Sequence, residues 1–134
     1  MKKEELMIGD WVWNTHNRQN EQVQEIGSGL VMLDYNDLYE YDEINPIPIT
    51  SELLEQNGFK KFKLRDIEGQ HQWSWWSDTL TSVSLWCREL KDDPKDGWMI
   101  RIDSPLATCC HKVEYVHELQ HTLRTCKIEK EIKL

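Results

Sequence analysis

No stretch of this 134-residue chain approaches the ~20 consecutive apolar residues that cross a bilayer. The opening Met1 to Asp10 also lacks the apolar core of a secretory signal, so membrane insertion and export have no support and a cytoplasmic protein is expected. The strings G-x-x-x-x-G-K-[ST], G-x-G-x-x-G and G-x-S-x-G do not occur, which leaves nucleotide cradling and serine-based acyl transfer without a motif. Cations are scarce: 16 Lys and Arg stand against 24 Asp and Glu, a net charge of −8. Such a charge repels phosphate backbones, so nucleic acid is a poor partner unless Lys60, Lys61, Lys63 and Arg65 gather into a local basic patch. The acids are spread along the whole length, as on a solvated globular surface rather than a disordered tail.

Cysteine is limited to Cys87, Cys109, Cys110 and Cys126, with no C-x-x-C spacing. Without an export signal, free thiols are expected rather than disulfides. Cys109-Cys110-His111 has metal-binding residue types, but adjacent side chains do not converge on one tetrahedral centre, and the four cysteines read as small buried thiols. His16 and His71 fall in polar or turn-like segments without a nucleophile nearby, and Cys87 in Ser84-Leu85-Trp86-Cys87 reads as core.

Tryptophan, by contrast, is abundant, with seven in the chain. Trp11 and Trp13 alternate about Val12, and Trp73 and Trp75 about Ser74, so each pair shares one face of a strand, and such faces are usually core. Trp76 then falls on the other face. Large indoles at a surface anchor protein partners, which makes Trp73, Trp75 and Trp76 a candidate interaction surface, with packing under a helix as the plainer explanation.

The chain divides near Pro46-Ile47-Pro48. Before it, a Gly9-Asp10 turn introduces a strand at Trp11, Gln22 to Ile26 alternates, Gly27-Ser28-Gly29 turns, Leu30 to Leu33 returns, and Leu38 to Ile44 supplies a fourth strand. Short strands with tight turns predict a small antiparallel barrel over 1–48, since closure removes exposed edges, and the Ile8-Gly9-Asp10-Trp11-Val12 opening resembles the first strand of SH3-like barrels. After it, Thr50 or Ser51 caps a short helix that stops at Asn57-Gly58. Strands over Phe62 to Arg65, around Trp73, over Thr79 to Leu90 and over Trp98 to Ile102 predict a four-stranded antiparallel sheet, with turns at Glu68-Gly69 and Asp92 to Gly97. A helix from about Lys112 to Cys126 covers that sheet, and Ile128 to Leu134 forms an edge strand. The expectation is an α+β chain, with a barrel portion over 1–48 and a helix-and-sheet portion over 49–134 packed as one unit.

His117-Glu118-Leu119-Gln120-His121 spells H-E-x-x-H. Imidazoles at i and i+4 can hold one zinc ion, and the intervening Glu118 can polarise its water, so the string supplies two ligands and a base. The third protein ligand is missing: Arg124 and Lys127 stand where an extended zinc-protease pattern needs Gly and His. At about 100° per residue, Val113, Val116, Leu119 and Leu123 share the apolar face, while Glu114, His117, Glu118, His121 and Arg124 share the opposite, apparently solvated one. The plainer reading is a polar helix surface with no metal or other cofactor.

Three segments carry a resemblance: Ile8-Gly9-Asp10-Trp11-Val12, Pro46-Ile47-Pro48-Ile49-Thr50 with Leu54 to Phe59, and Tyr115-Val116-His117-Glu118-Leu119-Gln120. Together they resemble a group of small proteins of Bacteroides-type genomes, often encoded among prophage or mobile-element genes. That group closes with a Y-V-H-x-L-Q pattern in which neither the Glu nor the second His is required. The resemblance implies no activity. The expected function is a non-enzymatic interaction or accessory protein with a protein partner. A zinc-dependent hydrolase built on His117, His121 and Glu118, and nucleic-acid binding through the barrel, are the alternatives.

Overall fold

The structure is a computed structural model that describes residues 1–64, 69–87, 92–106 and 108–134. Its strands are β1 (Trp11–Asn14), β2 (Gln19–Gln22), β3 (Glu25–Ile26), β4 (Leu30–Met32), β5 (Leu38–Glu40) and β6 (Ile44–Asn45), then β7 (Lys60–Lys63), β8 (His71–Trp76), β9 (Ser82–Cys87), β10 (Trp98–Asp103) and β11 (Thr108–Val113). Two α-helices accompany them, α1 (Ser51–Gln56) and α2 (Val116–Thr125). Among the described residues every ladder is antiparallel, and with the helices this makes a mixed helix-and-sheet protein. Two compact units divide the chain, Met1–Pro48 with Tyr115–Leu134, and Ile49–Glu114. No helix among the described residues is long and apolar enough to cross a membrane.

In the first unit the expected closed barrel is replaced by two three-stranded sheets, β2-β1-β6 and β3-β4-β5. The break has a local cause. Gln22 to Ile26, which alternates like one strand, changes partners at its middle: Val23 N–H donates to Asp10 O at 2.9 Å, and Gln24 N–H donates to Met32 O at 2.8 Å. Around this handover Leu6, Val12, Val23, Val31, Leu33, Tyr39 and Ile44 form one apolar cluster. The tryptophans of β1 do not face it. Val12 and Asn14 are buried while Trp13 is exposed, because the Asn14 amide bonds the buried Glu21 carboxylate on β2. Burying that carboxylate requires a donor, and the requirement sets the strand's inward phase.

In the second unit Thr50 Oγ1 caps α1 by accepting from Leu53 N–H at 3.2 Å, and Asn57-Gly58 ends it with Gly58 at φ +85°. The strands then run as a meander, β11-β10-β9-β8-β7, so the sheet has five strands where four were expected. The addition is β11, whose Thr, Cys and Val residues suit a pleat and hold the chain extended through Val113. Helix α2 therefore begins at Val116 rather than near Lys112. One face of the sheet carries Trp73, Val83, Leu85, Cys87, Trp98, Ile100, Ile102 and Val113, all buried. Trp73 and Trp98 meet edge-to-face at 5.4 Å, and Trp98 Nε1–H donates to Ile49 O at 2.9 Å. Arg65, Glu68 and residues 88–90 of the expected strands and turn lie outside the described residues.

The sequence reading also placed the helix and a following edge strand with the portion 49–134. Instead, Tyr115–Leu134 groups with Met1–Pro48. Val116 N–H donates to Ile47 O at 2.8 Å, and Pro48 bridges to Tyr115. Beyond α2 the chain is irregular, tied by buried Ile132 and by Trp11 Nε1–H donating to Ile132 O at 2.8 Å. Leu85, fully buried on the central strand β9, gives the direct test of this core. Leu85→Ala is expected to lower stability by about 2–5 kcal/mol in urea denaturation.

Candidate functional site

Gly9 adopts φ +90°, and a Cβ there would stand 3.1 Å from the Arg124 guanidinium, so glycine suits the turn twice over. The turn presents Asp10, whose side chain is fully buried. Its Oδ2 accepts from Met7 N–H at 2.8 Å and from His121 Nε2–H at 2.6 Å, and its Oδ1 accepts from Arg124 at 2.9 Å. Gln120 completes the junction: its Oε1 accepts from Trp11 N–H at 2.9 Å and its Nε2 donates to Gly9 O at 3.0 Å. One face of α2 thus supplies two of the three donors to the buried carboxylate and satisfies Trp11 N–H and Gly9 O of the turn.

That face carries the H-E-x-x-H residues, and the expectation that it is solvated is overturned. His117 is only 5% exposed, Gln120 is buried and His121 is half-buried, because the Gly9-Asp10-Trp11 turn lies against them. The His117 ring stacks on Tyr115 at 5.9 Å and meets His121 edge-on at 5.6 Å. Its Nδ1 is buried without a hydrogen-bond partner. Burial holds the His117 imidazole below its ordinary 6.5, with the Asp10 carboxylate pulling the other way and the His121 ring reinforcing the depression. A concavity of about 380 Å³ opens beside these groups, lined by Glu5, Tyr115, His117, Glu118 and His121. Among the described residues no three His, Cys, Asp or Glu side chains are grouped to hold one metal ion.

The tryptophans named from sequence separate. Trp73 is core, with Lys61 Nζ 5.6 Å from its ring centroid, and Trp75 is half-buried. Trp76, on the other side of β8, is 53% exposed and meets exposed Phe62 of β7 edge-to-face at 5.2 Å. Ser74, between them in register, is fully buried and its hydroxyl bonds that of Ser84 at 2.8 Å. Strand pairing sets Phe62, Gln72, Trp86, Met99 and Lys112 in one row across all five strands. Next to that row lies a groove of about 350 Å³ lined by Leu64, Gln72, Ser84, Trp86, Arg101 and Asp103. Phe62 and Trp86 were missed from sequence, although alternation with buried Leu85 and Cys87 places Trp86 on this side.

The remaining candidates are dispersed. Lys60, Lys61 and Lys63 are exposed on β7 but alternate between its faces, and Arg65 lies outside the described residues. The cysteines are free, but of the four expected to be buried only Cys87 is, its thiol pushed up to about 11 by burial and by the nearby Asp92 and Asp93 charges. His71 begins β8 and bonds Asp92 at 2.6 Å.

Removing the Asp10 carboxylate takes away the acceptor of Met7 N–H, His121 and Arg124, so Asp10→Ala is expected to destabilise the protein by about 1–3 kcal/mol in chemical denaturation. The depressed His117 makes a second, pH-resolved prediction. Near and below 6.5 the unfolded chain takes up a proton that folded His117 refuses, so its contribution is intact above that pH and is lost as pH falls. Denaturation midpoints measured from about pH 5 to 8 should show this acid limb, flattened in His117→Gln. No family model, curated protein or solved structure matches this chain.

Proposed function

We propose that this protein is a non-enzymatic interaction module that docks a protein partner on the open face of its five-stranded sheet. The observation that carries this reading is the Phe62–Trp76 pair, two large aromatic side chains in contact with each other and with solvent, continuing into the row through Trp86 and Met99. Solvent-facing aromatic clusters with a polar surround are how protein interfaces are anchored, and here Gln72, Arg101 and Asp103 supply the surround. The net charge of −8 favours protein over nucleic acid. Resemblance to proteins of prophage and mobile-element genes supports an accessory role in such an element. Six short strands around one apolar cluster support an SH3-like reading of the first unit, which concerns fold alone and adds no ligand.

A second reading, a zinc-dependent hydrolase with His117 and His121 as ligands and Glu118 as base, is favoured by one observation. A carboxylate, Asp10, stands behind His121 as metal-bound histidines require, while His117 Nδ1 is left without a hydrogen bond. Stoichiometric zinc in protein purified without added metal, lost on substituting His117 and His121, would establish it over the interaction reading.

The interaction reading is tested on the exposed pair, whose truncation leaves the core intact. Lysate from cells that express the protein is passed over immobilised wild-type and Phe62→Ser/Trp76→Ser chains, and the specifically retained protein is purified and titrated. The double variant is expected to bind at least about 30-fold more weakly, the loss of about 2 kcal/mol typical of an aromatic anchor. Equal retention by both chains would remove the proposal.

A further inference from the structure

The two edges of the five-stranded sheet differ in chemistry. β7 carries three exposed lysines in four residues, and pairing it with a copy of itself would bring like charges together. β11 has no such guard. It opens with Thr108, half-buried Cys109, Cys110 and His111, none of them Lys, Arg, Asp or Glu, and Lys112, which follows, is already engaged with Glu114.

On β11 the adjacency that argued against metal binding disappears. Cys109 and His111 are two residues apart on a pleated strand, so they share a face, while Cys110 points to the other. Cys109 is half-buried and His111 exposed, and Cys109 Sγ lies 3.2 Å from His111 Nδ1. A tetrahedral zinc with bonds of about 2.3 Å to sulfur and about 2.0 Å to nitrogen spans about 3.5 Å between two such donors. The pair is therefore preset close to the bite of one metal ion. A structural site of this kind needs four protein ligands, and one chain supplies two.

The geometry points to a zinc-type divalent cation site shared by two copies of this chain, each contributing Cys109 and His111 through antiparallel pairing of β11 with β11. A two-fold axis at Cys110 sets Cys109 opposite His111 of the second copy, and His111 opposite its Cys109, all four on one face. Thr108 then faces Lys112 of the second copy, so no like charges meet across the seam. On binding, each Cys109 thiol releases its proton to solvent and forms a sulfur–metal bond, and each imidazole binds as the neutral ring, so two protons leave per ion. The site is independent of the Phe62–Trp76 surface and of the H-E-x-x-H residues.

Cobalt(II) serves as the spectroscopic probe and zinc as competitor, with reduced, chelator-treated full-length protein. Expected are thiolate-to-cobalt absorption that saturates at one cobalt per two chains, bleaching by zinc, and a monomer-to-dimer shift in sedimentation that appears with metal and reverses with chelator. Cys109→Ser and His111→Ala, both at the sheet edge, should each lose the absorption and the dimer, while Cys110→Ser retains them. His117→Gln and His121→Gln should also retain them, provided circular dichroism shows them folded. Saturation at one cobalt per chain on a monomer, retention of the signal in Cys109→Ser, loss of it in a folded His117 or His121 variant, or no thiolate absorption at all would each overturn the assignment.

Discussion

A buried carboxylate left without partners is among the costliest groups a small protein can carry, and Asp10 is a fully buried carboxylate whose partners spare it that cost. Its partners come from separated parts of the sequence: Met7 from the same turn, His121 and Arg124 from α2. The Gly9-Asp10 turn is closed locally by Met7 and Val23, and α2 buries its polar side where the turn offers acceptors. Gln120 adds the same reciprocity for the backbone, filling Trp11 N–H and Gly9 O. The first unit is consequently held by a polar junction as much as by its apolar cluster.

This junction changes the meaning of the H-E-x-x-H string. Its second histidine is a hydrogen-bond donor to a buried acid, and its first is an imidazole whose affinity for a proton is lowered by burial and which stacks on Tyr115. Beside it, Trp11 meets Gln120, and Ile47 and Pro48 meet Val116 and Tyr115. Within Tyr115 to Gln120, Gln120 bridges the turn and Leu119 lies in the core.

The second unit divides its labour by face. Alternation along β9 and β10 sends Val83, Leu85, Cys87, Trp98, Ile100 and Ile102 to one side, where burial stabilises the sheet. The other side keeps Phe62, Trp76 and Trp86 beside polar residues, so the aromatic side chains that remain open to solvent are not those that fill the core.

Much of the architecture was legible in the residues: the α1 cap at Thr50, its stop at Asn57-Gly58, the strands around Trp11, Leu30, Trp73 and Trp98, and the apolar stripe of α2. These are local signals, since propensity, capping and period act within a few residues. The two separate sheets of the first unit, the start of α2, the buried histidine face and the outward phase of Trp13 were not legible. Each depends on a partner distant in sequence: Met32 taking over from Asp10 at Gln24, β10 holding β11 extended, Asp10 meeting His121, Glu21 drawing Asn14 inward. The sequence by itself determined most of the strands, the α1 cap and stop, and the apolar side of α2 and of the central strands. Only the tertiary structure decided which polar groups are buried together, because that follows from satisfying donors and acceptors across more than a hundred residues of chain.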